Sequence, residues 1–274
     1  MNDSTALSGK TEISAENLRV NYGKFCALEI DRLRLSGRII GVIGHNGSGK
    51  STLIKTILQL LMPRRGSVET FWTHAGTRTA LIPEQHMAFS PENGAIFEDM
   101  PVESYIKLWC RIKHNNGNFY KQAGSPYLEK LNLTPLLPKL GRELSKGQRR
   151  RVQVAVGFMI KPRLFLFDEP FDGLDIVQSN ELTNVMLEES NSMSMIVSSH
   201  RMEVIERLAD IVIVLHEGQV FASGAVDEVC RTLGGTSILI SETLNQPLSL
   251  EKLLDIMKRE FLSCLINQIG NQLL

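Results

Sequence analysis

With 274 residues, 43% of them hydrophobic and 22% charged, the chain has room for one large domain or one domain with a lobed insertion, and its composition excludes a disordered or fibrous protein. Lys and Arg total 30 against 30 Asp and Glu, so no global field draws the protein to nucleic acid or an anionic bilayer. The four cysteines, Cys26, Cys110, Cys230 and Cys264, include no CxxC pair, which fits reduced thiols in a cytosol rather than a zinc site or a disulfide framework.

In chain order, Met1 to Glu12 is polar and lacks the apolar stretch of a signal peptide. No run of about 18 apolar residues follows anywhere, so the chain is expected to have no membrane span of its own. Glu12 to Val20, Phe25 to Leu35 and Gly66 to Trp72 read as short strands with turn signals, able to form a small antiparallel layer. Between the second and third of these, Arg38 to Ile43 is almost continuously apolar, as a strand buried on both faces of a parallel sheet must be. A glycine-rich turn follows it, and then Leu53, Ile54, Ile57, Leu58 and Leu61 recur at helical spacing until Pro63 stops the pattern. The stretch from about Phe89 to Lys161 carries helical patterns at Val102 to Ile112, Tyr127 to Leu131 and Gln148 to Ile160, with a polar break at Asn115 to Asn118, and reads as an inserted helical lobe. Strand patterns then alternate with helical ones: Leu164 to Phe167, Ile176 to Leu187, Met195 to Ser198, Met202 to Leu208 and Ile211 to Leu215. That alternation predicts an α/β protein with a mostly parallel sheet. From Ser249 onward Leu250, Leu253, Leu254, Met257, Phe261, Leu265 and Ile269 share one helical face.

Two motifs carry chemistry. Gly44-His45-Asn46-Gly47-Ser48-Gly49-Lys50-Ser51 fits G-x-x-x-x-G-K-[ST], lies between a predicted strand and a predicted helix, and is expected, together with Thr52, to bind ATP. Its glycines let successive N–H groups and the helix N-terminus face phosphate oxygens, with Lys50 reaching the β and γ phosphates and the Ser51 hydroxyl available to magnesium. At the end of a buried strand, Asp168 and Glu169 sit where ligands bind in an open parallel sheet. Asp168 is placed to hold magnesium and Glu169 to polarise an attacking water.

Together with these motifs, Leu144-Ser145-Lys146-Gly147-Gln148 resembles the LSGGQ signature of ATP-binding cassettes, Gly173-Leu174-Asp175 their D-loop, His200 their switch histidine, and Tyr22 their adenine-stacking aromatic. The resemblance spans about Ile13 to Val229. It implies a RecA-like P-loop core with a mainly parallel sheet, a small antiparallel β layer and an inserted helical lobe, in a cassette domain over residues 13–230 with the lobe at about 89–161 and a C-terminal extension over 231–274. It further implies ATP and Mg2+ as cofactors, and a head-to-tail dimer, of this chain or with another cassette. In that dimer each nucleotide lies between one phosphate loop and Ser145, Gly147 and Gln148 of the facing subunit, which the charge of the γ-phosphate rewards. Aligned on Pro83, the Q-loop sensor falls on Glu84, with Gln85 one residue on; the two stand as alternatives, and Glu84, Glu169 and His200 are the expected catalytic set. The family's function implies an ATPase on the cytoplasmic face of a membrane, bound to a separate transmembrane permease subunit. Pro83-Glu84 and the signature resemble export-type cassettes. A soluble cassette acting on ribosomes or nucleic acid is the alternative, although such relatives usually carry two cassettes or a long coiled coil.

The remaining signals have plainer readings. His74, His86, His114 and His216 read as ordinary polar residues, and His45 as a loop residue whose side chain points outward. Lys146, Arg149, Arg150 and Arg151 read as a solvated helix start rather than a nucleic-acid patch. Phe89, Ile96, Phe97, Met100 and Trp109 are expected either in the core or where cassettes receive a helix of the membrane subunit.

Overall fold

The computed structural model describes residues 9–94, 96–122 and 124–232. The elements run β1 (Lys10–Tyr22), β2 (Phe25–Gly37), β3 (Ile39–Ile43), α1 (Lys50–Ile57), β4 (Arg65–His74), β5 (Thr77–Ala80), α2 (Pro83–His86), β6 (Met87–Ser90) and α3 (Val102–His114). They continue with α4 (Phe119–Gln122), α5 (Ser125–Lys130), α6 (Lys146–Met159), β7 (Leu164–Asp168), α7 (Ile176–Glu189), β8 (Ser194–Ser199), α8 (Met202–Leu208), β9 (Ile211–His216), β10 (Gln219–Ala225) and α9 (Val226–Thr232).

Two sheets organise these elements. One is antiparallel, ordered β2-β1-β4-β5; the other is ordered β10-β9-β3-β8-β7-β6 and is parallel except where β10 pairs with β9. The long β1–β2 hairpin exchanges its buried face part-way along. Ile13 and Ala15 give way to Leu18 and Val20 on β1, and Leu28 and Ile30 to Leu33 on β2. The exchange falls beside Asn17, whose left-handed backbone (φ 49) breaks the two-residue period. In the second sheet every residue of β3, β7 and β8 is buried, as covering both faces of a parallel sheet requires. The apolar face of α1, with Leu53, Ile54 and Ile57, packs into the same core as Ile40 and Val42 of β3 and Leu166 of β7.

The α/β architecture and the antiparallel layer match the expectation from the sequence. Three strands go beyond it: β5, β10 and, most consequentially, β6. The last pairs in parallel with β7, Met87 opposite Leu164 through Ser90 opposite Phe167. Phe89 therefore belongs to the sheet, and the helical segments begin after it. The C-terminal amphipathic stretch and Cys264 lie outside the described residues. Among those residues no helix is long and apolar enough to cross a membrane.

Candidate functional site

The loop from Gly44 to Gly49 joins β3 to α1 beyond the carboxyl end of the parallel sheet. Gly47 and Gly49 take φ of 85° and 105°, a region that side chains avoid, so glycine there lets the chain curl. The Ser48 N–H donates to the His45 carbonyl at 3.1 Å, closing the turn. Lys50, the first residue of α1, is only 6% exposed. Its Nζ donates to the carbonyls of Gly44 (2.6 Å) and His45 (3.2 Å) and stands 3.2 Å from Glu169 Oε1. The ammonium is thus folded across its own loop, beside a carboxylate.

Asp168 ends β7 and Glu169 follows it in a left-handed conformation (φ 49). Asp168 Oδ1 accepts hydrogen bonds from Ser51 Oγ (3.1 Å) and Ser198 Oγ (2.8 Å). Ser198, on β8, in turn accepts from the Glu169 N–H at 3.0 Å. Glu169 Oε2 is held by the His200 ring Nδ1 at 3.0 Å and by the His200 N–H at 3.3 Å. The other oxygen, Oε1, is buried and faces the Lys50 ammonium. An open cavity of about 310 Å³ runs over these groups, lined by Tyr22, Asn46, Gly47, Gly49, Lys50, Ser51, Thr52 and Glu169 among others. A larger opening, of about 440 Å³ at Arg19, Arg64 and Arg65, shares none of these residues and none of their chemistry.

The sequence around this site has known relatives. The family model described as ABC transporter matches residues 33–172. The ABC-type transporter ATP-binding protein EcsA of Bacillus subtilis is 30% identical over 72% of this chain and 80% of its own. The uncharacterized ABC transporter ATP-binding protein YhaQ, also of Bacillus subtilis, is 31% identical over 83% and 76%. Among solved structures, an ATP-binding subunit of an ABC transporter superposes with a TM-score of 0.69 at 28% identity, covering 81% of this chain and 93% of that one. The chain belongs to the ABC transporter ATP-binding family. It is an ATPase cassette.

Within the cassette, the signature residues stand apart from the chain's own nucleotide cavity. Ser145 caps α6: its Oγ accepts from the Gln148 N–H (3.2 Å), while its own N–H donates to Gln148 Oε1 (3.0 Å). Gly147 is buried, and a Cβ there would come within 2.6 Å of the Gly173 carbonyl, so a side chain at this position would push the signature away from the D-loop. Lys146, the departure from the family pattern, has no positive φ and points out to pair with Asp172 at 3.2 Å.

Two expectations need correcting. Glu84 and Gln85 lie exposed on the four-residue helix α2, and neither lines the cavity. Glu92 lines it instead, immediately after β6 and Pro91. The physical reason is that Pro83 follows β5, in the antiparallel sheet, whereas Pro91 follows the strand that lies beside β7 and so ends at the site. Nor are Arg150 and Arg151 solvated. Arg150 is 1% exposed, and its guanidinium donates to the carbonyls of Pro91 (2.7 Å), Asp168 (3.1 Å) and Glu92, tying the end of β7 to the segment after β6. Burial pulls its pKa below the usual value, opposed by the charges of Asp172 and Glu92. Arg151 donates to the Leu131 carbonyl at 3.0 Å. The sequence reading also missed Phe25, which stands opposite Tyr22 across the hairpin turn and shares the cavity wall. Extending both strands to their meeting point would have found it.

Proposed function

We propose that this cassette drives an ABC exporter, hydrolysing ATP on the cytoplasmic face of a membrane while bound to a separately encoded transmembrane subunit. The observation that supports hydrolysis best is the state of Glu169. One carboxylate oxygen is anchored by His200, and the other is buried against the Lys50 ammonium at 3.2 Å. A carboxylate so oriented is ready to take a proton from water once the ammonium is drawn away. Nucleotide phosphates would replace Glu169 as the partner of the Lys50 ammonium. The loop N–H groups and the N-terminus of α1 would hold the same phosphates. Tyr22 and Phe25 would stack on the base.

The hydroxyl of Ser51 and the carboxylate of Asp168 form a pair of hard oxygen donors that fits magnesium. Magnesium bound there would neutralise charge on the transferred phosphoryl group. Glu92 takes the sensing role first assigned to Glu84. Ser145, Gly147 and Gln148, being remote from the chain's own cavity, would serve the nucleotide of a facing cassette in a dimer.

Export is favoured by the names of relatives at 28% identity, for linearmycin resistance in Bacillus subtilis and daunorubicin resistance in Streptomyces coeruleorubidus. A relative of equal identity is named for sulfate/thiosulfate import. Affinity capture of the tagged chain from membranes of its own cells, followed by reconstitution of the complex in proteoliposomes, tests the reading. The expected result is one polytopic membrane protein in the complex and an ATPase rate raised by membrane-soluble toxic compounds added alone. A rate raised only by a solute-loaded binding protein would make the system an importer. Capture of ribosomes in place of a membrane protein would favour the soluble alternative.

A further inference from the structure

Outside the nucleotide cavity, two imidazoles meet. His45, in the phosphate loop, and His216, the last residue of β9, approach with His45 Nε2 at 3.3 Å from His216 Nδ1. Their rings are 5.3 Å apart and nearly perpendicular, at 78°. Both side chains are exposed, and neither lines the cavity. Nothing in the ATPase chemistry derived above uses this pair.

We propose that His45 and His216 chelate a divalent transition-metal ion of the zinc class on the outer side of the phosphate loop. The spacing is the first reason. Two metal–nitrogen bonds of about 2.0–2.1 Å at a tetrahedral angle of about 109° set their nitrogens about 3.3 Å apart, which is the separation found here.

The tautomer is the second reason. His45 Nδ1 lies 2.9 Å from the Asn46 carbonyl, an acceptor only, so Nδ1 carries the proton and Nε2 presents its lone pair. A backbone carbonyl on the far nitrogen is the arrangement that orients metal-ligating histidines. At His216 the metal requires only that the proton sit on Nε2 instead of Nδ1, so the neutral imidazole supplies the second lone pair without losing charge.

The third reason is preorganisation. The turn that carries His216 is already bonded to the loop, because the Gly218 N–H donates to the Ser48 carbonyl at 3.1 Å. The backbone of His216 is fixed by its pairing with Gln219. Little backbone order remains to be imposed when an ion enters. Among the described residues no third imidazole, thiol or carboxylate joins the pair in a cluster, so water completes the shell. Magnesium, which prefers oxygen ligands, does not compete. The other candidate cluster, Glu169, Asp172 and His200, belongs to the catalytic site and serves as the control.

Titrating the nucleotide-free chain with Zn2+ by calorimetry, in excess Mg2+, tests the proposal. One equivalent should bind and raise the melting temperature. His216→Ala and His45→Gln should each weaken this binding about tenfold or more, whereas His200→Ala should leave it intact. In the unmodified protein, Co2+ should broaden the ring resonances of His45 and His216, a readout independent of any variant. Parent-level Zn2+ affinity in a folded His216→Ala protein, loss of the equivalent in His200→Ala alone, or ring resonances untouched by Co2+ would each overturn the proposal.

Discussion

Glu169 holds a backbone conformation that costs a non-glycine residue of order 1–3 kcal/mol, and its surroundings show what maintains it. The Ser198 hydroxyl takes its N–H, and His200 takes one carboxylate oxygen through both ring and backbone. The strain aims the side chain across the strand end at Lys50 rather than along β7. Glu92 approaches the same cavity from the segment after β6. Glu92→Ala is therefore expected to lower steady-state ATPase activity about tenfold or more, while Glu84→Ala, on an exposed turn, stays within about twofold of the parent. The opposite order would return the sensing role to residue 84. The sequence could not separate the two, because Pro-Glu occurs at both 83–84 and 91–92 and what distinguishes them is a four-residue strand too short to show a period. The grouping of Lys50, Ser51, Asp168 and Glu169 was legible because each lies in one loop or at one strand end.

At the scale of elements, α6 does more than present the signature at its N-terminus. Its second turn sends Arg150 into the molecule, where one guanidinium donates to three carbonyls at the end of β7 and in the segment after β6. Arg150→Met keeps much of the volume and removes all of these bonds. An orphaned buried acceptor costs about 1–3 kcal/mol; the Asp168 carbonyl is buried and those of Pro91 and Glu92 are part-buried, so the variant should lose about 2 kcal/mol or more of stability in urea denaturation. Lys146→Ala, which removes only an exposed pair with Asp172, should change stability by less than about 1 kcal/mol. Equal losses for the two would refute the bracing role of Arg150. Four basic residues within six positions looked like a solvated face because the partners of Arg150 lie far off in sequence, at Pro91, Glu92 and Asp168. The helical apolar periods of α1, α6 and α7 and the apolar runs of β3 and β7 and of Met195 to Val197 in β8 were readable, since burial on both faces leaves its mark in the chain itself.

For the molecule as a whole, the two sheets place an aromatic wall, a phosphate loop and a carboxylate pair around one cavity, while the signature on α6 faces elsewhere. A site divided in this way predicts that ATP joins two cassettes, a property no single chain displays and no sequence period encodes. Stopping hydrolysis without disturbing phosphate binding should preserve such a dimer, at twice the 30.7 kDa of the chain by light scattering in ATP. The central claim, that Glu169 is the group that activates water in this site, is tested most directly by the steady-state ATP hydrolysis rate of Glu169→Gln. The amide keeps the size and the His200 contact but cannot accept a proton, so the rate should fall at least about a hundredfold. Turnover at the parent rate would contradict the account.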